Sequence, residues 1–387
     1  MGLVKARQVT EARVENLRAS NAKLPRVSVV MPIRNEEAYI YHTLNQVLRQ
    51  ETAWVEPGDN QREIEFEVLV VDGCSTDQTP AIVAEFAAEN PRVRLLNNPG
   101  KLSSFARNVG VENSTGDYVV IIDGHCEIPS QIYLVDLVRA FERTGADCLG
   151  RPQPLDVTHA SNLQKAIAAA RNSRLGHHPD SFIYSKVEIP VPAISVAVAY
   201  RREVFDVVGI FDTRFDACED CEFNHRIDQF GLSCFLVPEL AIKYQPRNSL
   251  RSLFYQLARY GRGRVRLFRK HPKSFSVTAL VPALFFLGVV IGPAICWSFS
   301  PLWYVYFGVI AIYLLAIAAF SVVSSSRPSD DVQGSNEAKD INEVKGRNIK
   351  ALAMMPLVYL TIHLGSAWGV IRQAWSELTS RKIRKGQ

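Results

Sequence analysis

Two hydrophobic periods alternate along the first third of the chain. The run Arg26-Val27-Ser28-Val29-Val30-Met31-Pro32 reads as a buried strand. After a polar loop, Ile40, Leu44, Val47 and Leu48 fall on one face of a helix spanning 38–50. The succession then repeats: a strand at 66–71 with a helix at 79–88, a short strand at 93–97 with a helix at 103–113, and a strand at 118–122. Strands alternating with such helices predict right-handed βαβ units and a parallel sheet covered on both faces. In such a sheet the carboxyl ends of the strands open into loops that hold ligands. Three polar sets stand at those ends: Arg34-Asn35-Glu36, then Asp72 with Asp77, then Asp123 with His125. Any one alone reads as a turn or a helix cap. Three in the same structural position point to a site.

Beyond residue 130 the pattern loosens. Helical spacing covers 131–143, a strand is expected over 191–200, and a short helix begins at 203. A further helix opens on Glu219-Asp220-Cys221-Glu222, with Phe223 and Ile227 facing inward and Glu222 and Arg226 spaced to pair one turn apart. The positive end of a helix attracts acids. That accounts for one of the three and leaves the others to chemistry.

Composition changes the picture at the other end of the 387 residues. The apolar share of 47% is ordinary, but from Ser274 to Ser326 there is no Asp, Glu, Lys, Arg or His. This run accommodates two transmembrane helices of about 20 residues, with Pro301 in the turn between them. A third segment, 351–371, has the length of a span but contains Pro356 and His363. No acid occurs between Glu239 and Asp330, while Arg259, Arg262, Arg264, Arg266, Arg269 and Lys270 crowd toward the first span. Such a cluster marks the cytoplasmic side and binds anionic lipid headgroups, which makes membrane lipids the expected partner and nucleic acid not. A third crossing would then carry Arg372, Arg381, Lys382, Arg384 and Lys385 to the far side, against the positive-inside tendency. The charged first residues contain no apolar core of a signal peptide, so the bulk of the chain is expected in the cytosol. The seven cysteines are expected as thiols, and Cys218 with Cys221 lacks the further ligands of a zinc site.

Three motifs in this order, Val-Ser-Val-Val-Met-Pro-Ile-Arg-Asn-Glu-Glu from Val27, Val-Asp-Gly-Cys-Ser-Thr-Asp-Gln-Thr from Val71, and Ala-Arg-Asn-Val-Gly followed by Thr-Gly-Asp-Tyr-Val before Asp123, carry a resemblance. The chain resembles family 2 glycosyltransferases of the GT-A fold, and among them membrane-bound enzymes of the succinoglycan-biosynthesis type. The resemblance implies a Rossmann-like nucleotide-diphospho-sugar transferase domain followed by transmembrane helices. The expected division is a charged extension 1–25, a GT-A catalytic domain 26–248, a basic amphipathic interfacial segment 249–273, two transmembrane helices in 274–326, a polar loop 327–350, a third membrane segment 351–371 and a basic tail 372–387.

The resemblance further implies a nucleoside-diphosphate sugar donor. Glu36 and Asp72 suit hydrogen bonds to base and ribose, with Pro32 and Asn35 in the same loop, and Arg107 follows the third loop. The family's Asp-x-Asp metal motif falls on Asp123-Gly124-His125, so Asp123 and His125 become the implied ligands of a divalent cation, Mn²⁺ or Mg²⁺, with imidazole favouring Mn²⁺. The family's Glu-Asp pair falls on Glu219 and Asp220, implying Asp220 as the base that deprotonates the acceptor and Glu219 as its support. Gln256-Leu257-Ala258-Arg259-Tyr260 is similar to the Gln-x-x-Arg-Trp element of processive enzymes, with tyrosine for tryptophan, and implies contacts of Gln256, Arg259 and Tyr260 to acceptor or diphosphate. The expected activity is inverting transfer from a nucleoside-diphosphate sugar, UDP-based, to a lipid-linked or growing glycan at the cytoplasmic membrane face. Metal-dependent nucleotidyl transfer and a non-catalytic membrane scaffold are the alternatives.

Overall fold

A computed structural model describes residues 24–56, 60–177, 181–325 and 349–385. Nearly all of the expected extension 1–25 and of the polar loop 327–350, and the end of the basic tail, lie outside these described residues. The chain forms two units, one of Met1–Pro154 with Asp180–Gln245 and one of Leu155–Pro179 with Pro246–Gln387.

The first unit is built on a sheet. Strands β1 (Arg26–Ile33), β4 (Glu65–Asp72), β5 (Val93–Asn97) and β6 (Tyr118–Ile121) run parallel in the spatial order β5-β4-β1-β6. β1 and β4 are buried along nearly their whole length because both faces are covered. Val27, Val29 and Met31 enter one core, which also holds Ile40, Leu44 and Val47 of helix α1 (Ile40–Leu48), while Val30 enters the other. Helices α2 (Thr79–Glu89) and α3 (Ser103–Asn113) complete the expected alternation. The polar stretch between α1 and β4 contains an unforeseen hairpin of β2 (Ala53–Glu56) and β3 (Asn60–Glu63).

The second half of the sheet is mixed. After the short strand β7 (Cys126–Glu127), helix α4 (Tyr133–Thr144) ends at Gly145, whose positive φ of 64° stops it. Strand β8 (Cys148–Gly150) follows, then in the other unit helix α5 (Asn162–Arg171), and back in the sheet β9 (Ile189–Pro190) and β10 (Ala197–Arg201). β10 runs antiparallel between β6 and β8. The strand expected over 191–200 is therefore shorter, because Ala193–Ser195 forms a 3₁₀ turn. Helices α6 (Glu203–Val208) and α7 (Glu219–Gln229), strand β11 (Cys234–Leu236) and strand β12 (Lys243–Tyr244) finish the unit. β12 pairs with β7 outside the main sheet.

The second unit is helical: α8 (Leu250–Lys270), α9 (Val281–Ser298), α10 (Leu302–Ser325) and α11 (Ile349–Lys385), with α5 packed among them. Three stretches, Val281–Ser298, Leu302–Ser324 and Ile349–Thr379, are long and apolar enough to cross a membrane. These three helices mark the protein as membrane-associated.

Candidate active site

The parallel strands place the ends of β4, β1 and β6 on one edge, and the loops there are tied to each other. Asn35 and Cys74 both adopt left-handed backbone, with φ of 55°. In that geometry the Asn35 N–H donates to Ser75 Oγ at 2.8 Å and the Thr76 N–H donates to Asn35 Oδ1 at 2.8 Å. The Glu36 N–H reaches Thr79 Oγ1 at 2.7 Å, and the Gln78 N–H reaches Glu37 Oε2 at 3.0 Å. Asp72, buried at the end of β4, accepts from the Ser75 hydroxyl at 2.5 Å and its N–H at 3.0 Å. Pro32 lies at the end of β1 in register with Val71.

The loop after β6 adds Asp123 and His125. Gly124 permits its close approach to the β1 loop: a Cβ there would stand 2.8 Å from Ile33 Cγ2 and 3.4 Å from Glu36 Cγ. Across this gap His125 Nδ1 meets Glu36 Oε1 at 2.9 Å. Asp123 Oδ2 accepts from the Tyr244 hydroxyl at 3.0 Å, and the Tyr244 ring stands edge-on to His125 with centroids 5.9 Å apart. Burial and the neighbouring Asp123 push the Tyr244 phenol well up. Beneath them lies Arg151, fully buried, donating to the Tyr133 hydroxyl and the Ile121 carbonyl at 3.0 Å each, while its Nε has no partner.

The acidic helix α7 supplies the remaining groups. Glu222 pairs with Arg226 at 3.0 Å, and Arg226 also donates to the carbonyls of Val208 and Ile210, so this acid fixes the preceding loop. Glu219 faces Arg107 at 3.4 Å, both side chains being about nine-tenths buried. The Arg107 guanidinium packs over Phe211 and feels Glu219, Asp220 and Asp123, which hold its pKa up against its burial. One cation therefore serves three carboxylates. Burial lifts Glu219 above the usual carboxylate range, Asp220 adds to that, and Arg107 opposes it. Asp220, half-buried, accepts from the amide of Cys221 at 2.7 Å. Asn108 holds this region in place, since its side-chain amide donates to the Phe211 carbonyl and accepts from the Phe211 N–H, both at 2.8 Å.

The structure thus brings Asp123, Arg107, Glu219 and Asp220 into one electrostatic cluster, joins Glu36 to His125, and sets Asp72, Asn35 and Pro32 on the same sheet edge. Gln256, Arg259 and Tyr260 lie on α8 in the second unit, where Gln256 Nε2 donates to the Tyr260 hydroxyl at 3.2 Å. Sequence reasoning missed Tyr244 and Arg151. Their importance rests on contacts between distant segments, and no local motif marks either. None of the seven cysteines forms a disulfide, and among the described residues no cluster of three or more His, Cys, Asp and Glu gathers.

Comparison with known proteins decides the family. Residues 28–209 match the family model described as glycosyl transferase family 2. The chain is 31% identical over 260 residues to the succinoglycan biosynthesis protein ExoA of Rhizobium meliloti, covering 66% of this chain and 73% of that protein. The chain belongs to glycosyltransferase family 2. The transferase is also similar to a dolichyl N-acetylglucosaminyl phosphate diacetamidodideoxyglucuronosyltransferase of Methanococcus voltae, at 24% identity over 63% of this chain and 74% of the other. Among solved structures it is similar to the mannosyltransferase PcManGT of Pyrobaculum calidifontis, in complex with GDP-mannose and Mn²⁺, with a TM-score of 0.53, 18% identity and coverage of 97% and 99%. That likeness shows a shared GT-A fold.

Proposed function

We propose that this glycosyltransferase moves a sugar, with inversion, from a nucleoside-diphosphate sugar, UDP-based, to a lipid-linked or growing polysaccharide acceptor at the cytoplasmic membrane face. The observation that carries the reading is the convergence of Asp123, from a strand end, with Glu219 and Asp220, from a helix start, around the buried Arg107. Within it Asp220 is the base: Glu222 is committed to Arg226 and Glu219 to Arg107, which leaves Asp220 at the helix start to take the acceptor proton. Glu219 and Arg107 position it. The base and ribose of the donor fit the interlocked β1 and β4 loops, where Asp72, Asn35 and Pro32 reside.

The residues also fit a divalent cation. A ligating histidine commonly has its second nitrogen bonded to a carboxylate, which fixes the tautomer, and His125 has this relation to Glu36. Asp123 and His125 would hold the ion as two protein donors, the number that suffices where substrate phosphates supply others. Such an ion supplies Lewis-acid stabilisation of the departing diphosphate. The Tyr244 hydroxyl orients Asp123, and Glu36 is better read as a partner of His125 than as a contact to the base. A donor panel tests the reading: nucleoside diphosphate should be released only when glycan acceptor is present, and Asp220→Asn should lower that release about a hundredfold or more while the protein stays folded. Release of pyrophosphate, or undiminished transfer by Asp220→Asn, would refute it.

A further inference from the structure

With its 37 residues, α11 is about 55 Å long at 1.5 Å per residue, so length alone would carry it across a bilayer. Its contacts point elsewhere. From Gly365 onward it lies backbone to backbone along α8: a Cβ on Gly365 would come 2.7 Å from the Phe254 carbonyl oxygen, one on Gly369 2.1 Å from that of Ala258, and one on Gly261 2.4 Å from that of Ser366. Small residues permit this approach. Further on, Arg269 pairs with Glu377 at 2.9 Å, so the two helices run side by side in the same direction. α8 carries Arg259, Arg262, Arg264, Arg266, Arg269 and Lys270, and such charges are strongly disfavoured at the bilayer centre. A helix so charged stays at the polar surface and holds the second half of α11 there.

The contacts of α11 with the α9–α10 hairpin agree. Ala367 and Val370 cluster with Ala283 at the start of α9, beside Leu280 and Phe286. The Tyr359 hydroxyl meets Ser324 Oγ at 3.1 Å, near the end of α10, and His363 Nδ1 meets the Tyr313 hydroxyl at 3.0 Å, at its midpoint. Ala283 and Ser324 belong to the open end of the hairpin and Tyr313 to its middle, whereas nearer its turn the hairpin is held by its own contacts, such as the Tyr306 hydroxyl on the Val289 carbonyl at 3.0 Å. The same stretch of α11 receives the loop after α5, through Tyr359 on Ser173 Oγ at 2.8 Å and His363 Nε2 on the Leu175 carbonyl at 2.9 Å. That excursion carries Lys165, Arg171 and Arg174, again the signature of a polar surface. On the side away from α8, Leu364, Trp368, Trp375 and Leu378 form an apolar stripe, with the two indoles 53% and 70% exposed.

We propose that α11 does not cross the bilayer: it lies in the membrane interface beside α8, with this stripe in the headgroup–acyl boundary of an anionic leaflet and its C-terminus on the side of α8. The arrangement is that of an interfacial amphipathic helix, with apolar and indole side chains in the lipid and basic residues at the headgroups. It also keeps Arg372, Arg381, Lys382, Arg384 and Lys385 on the side of the basic cluster, which resolves the conflict a third crossing would create.

The test uses the full chain with one epitope tag before Met1 and another after Gln387, in sealed vesicles of both orientations. Protease should remove both tags in the same orientation. Removal of the C-terminal tag only in the opposite orientation would overturn the proposal. Lipid contact is read separately, as the fluorescence difference between the full chain and its Trp368→Phe/Trp375→Phe variant in phosphatidylglycerol-containing vesicles. Lipids brominated near the headgroup should quench that difference more strongly than lipids brominated near the chain ends. Stronger deep quenching, or none because a protein partner covers the stripe, would overturn it.

Discussion

Replacing Arg107 with methionine isolates the electrostatics of the site. The change keeps much of the apolar stem over Phe211 but leaves Glu219 buried beside Asp220 without its cation. At 3.4 Å and an effective dielectric of about 20, the lost attraction is roughly 5 kcal/mol before desolvation is counted. Removing one partner of a buried pair costs about 3 to 5 kcal/mol, so a loss of about 3 kcal/mol is expected, on the order of a hundredfold in the unfolding constant. Pulse proteolysis of the detergent-solubilised full chain across a urea series would measure it. Adding Glu219→Gln should restore most of the loss, because no ionised group is then stranded. The deficit should also depend on pH in a definite direction. Glu219 already sits above its unfolded pKa of about 4.3, and without Arg107 it moves further up. The native state of the variant therefore holds a proton that the unfolded state releases, and stability falls as pH rises through that window. The deficit should be full at pH 7.5, smaller at pH 5.5, and absent below the unfolded pKa. Additive single and double variants, or a deficit that grows on acidification, would refute the reasoning.

Other substitutions probe neighbouring parts of the site. Asp220→Asn should lower transfer by about 10² to 10⁴-fold, the usual contribution of a general base, with little change in the urea midpoint. Tyr244→Phe removes the hydroxyl bonded to Asp123 and should weaken Mn²⁺ binding about tenfold, measured by titrating the ion without donor. Gly124→Ala forces a methyl to 2.8 Å from Ile33, and should cost about 1 to 3 kcal/mol and lower Mn²⁺ affinity with it. Asn108→Ala leaves the Phe211 N–H and carbonyl unpaired and should cost about 2 to 3 kcal/mol in the same urea assay.

The parallel half of the sheet was legible because its strands are buried on both faces and read as unbroken apolar runs, and its helices repeat at one spacing. The mixed half was not. β8, β9 and β11 each have only two or three residues, too few for a period to show, and their partners lie far off in sequence. For the candidate site, position after a strand was enough to place Asp72, Asp123 and His125 on one sheet edge. It did not reveal that His125 turns to Glu36, which depends on the space left by Gly124. Arg107 was expected near the nucleotide from its place after the third loop, and only the fold shows it beside Glu219, Asp220 and Asp123. Arg151 and Tyr244 give no local signal, since each acts through partners brought in by the sheet or by the β12–β7 pair. The membrane segments were plain from charge depletion, but the glycine-mediated pairing of α8 with α11 was not, because close backbone approach leaves no hydrophobic signature.

That pairing bears on how the protein is made. α8 leaves the ribosome well before α11 exists, so its glycine face must wait without this partner until α11 is synthesised. A chain cut short before Ile349 would leave that face without the partner its glycines accommodate.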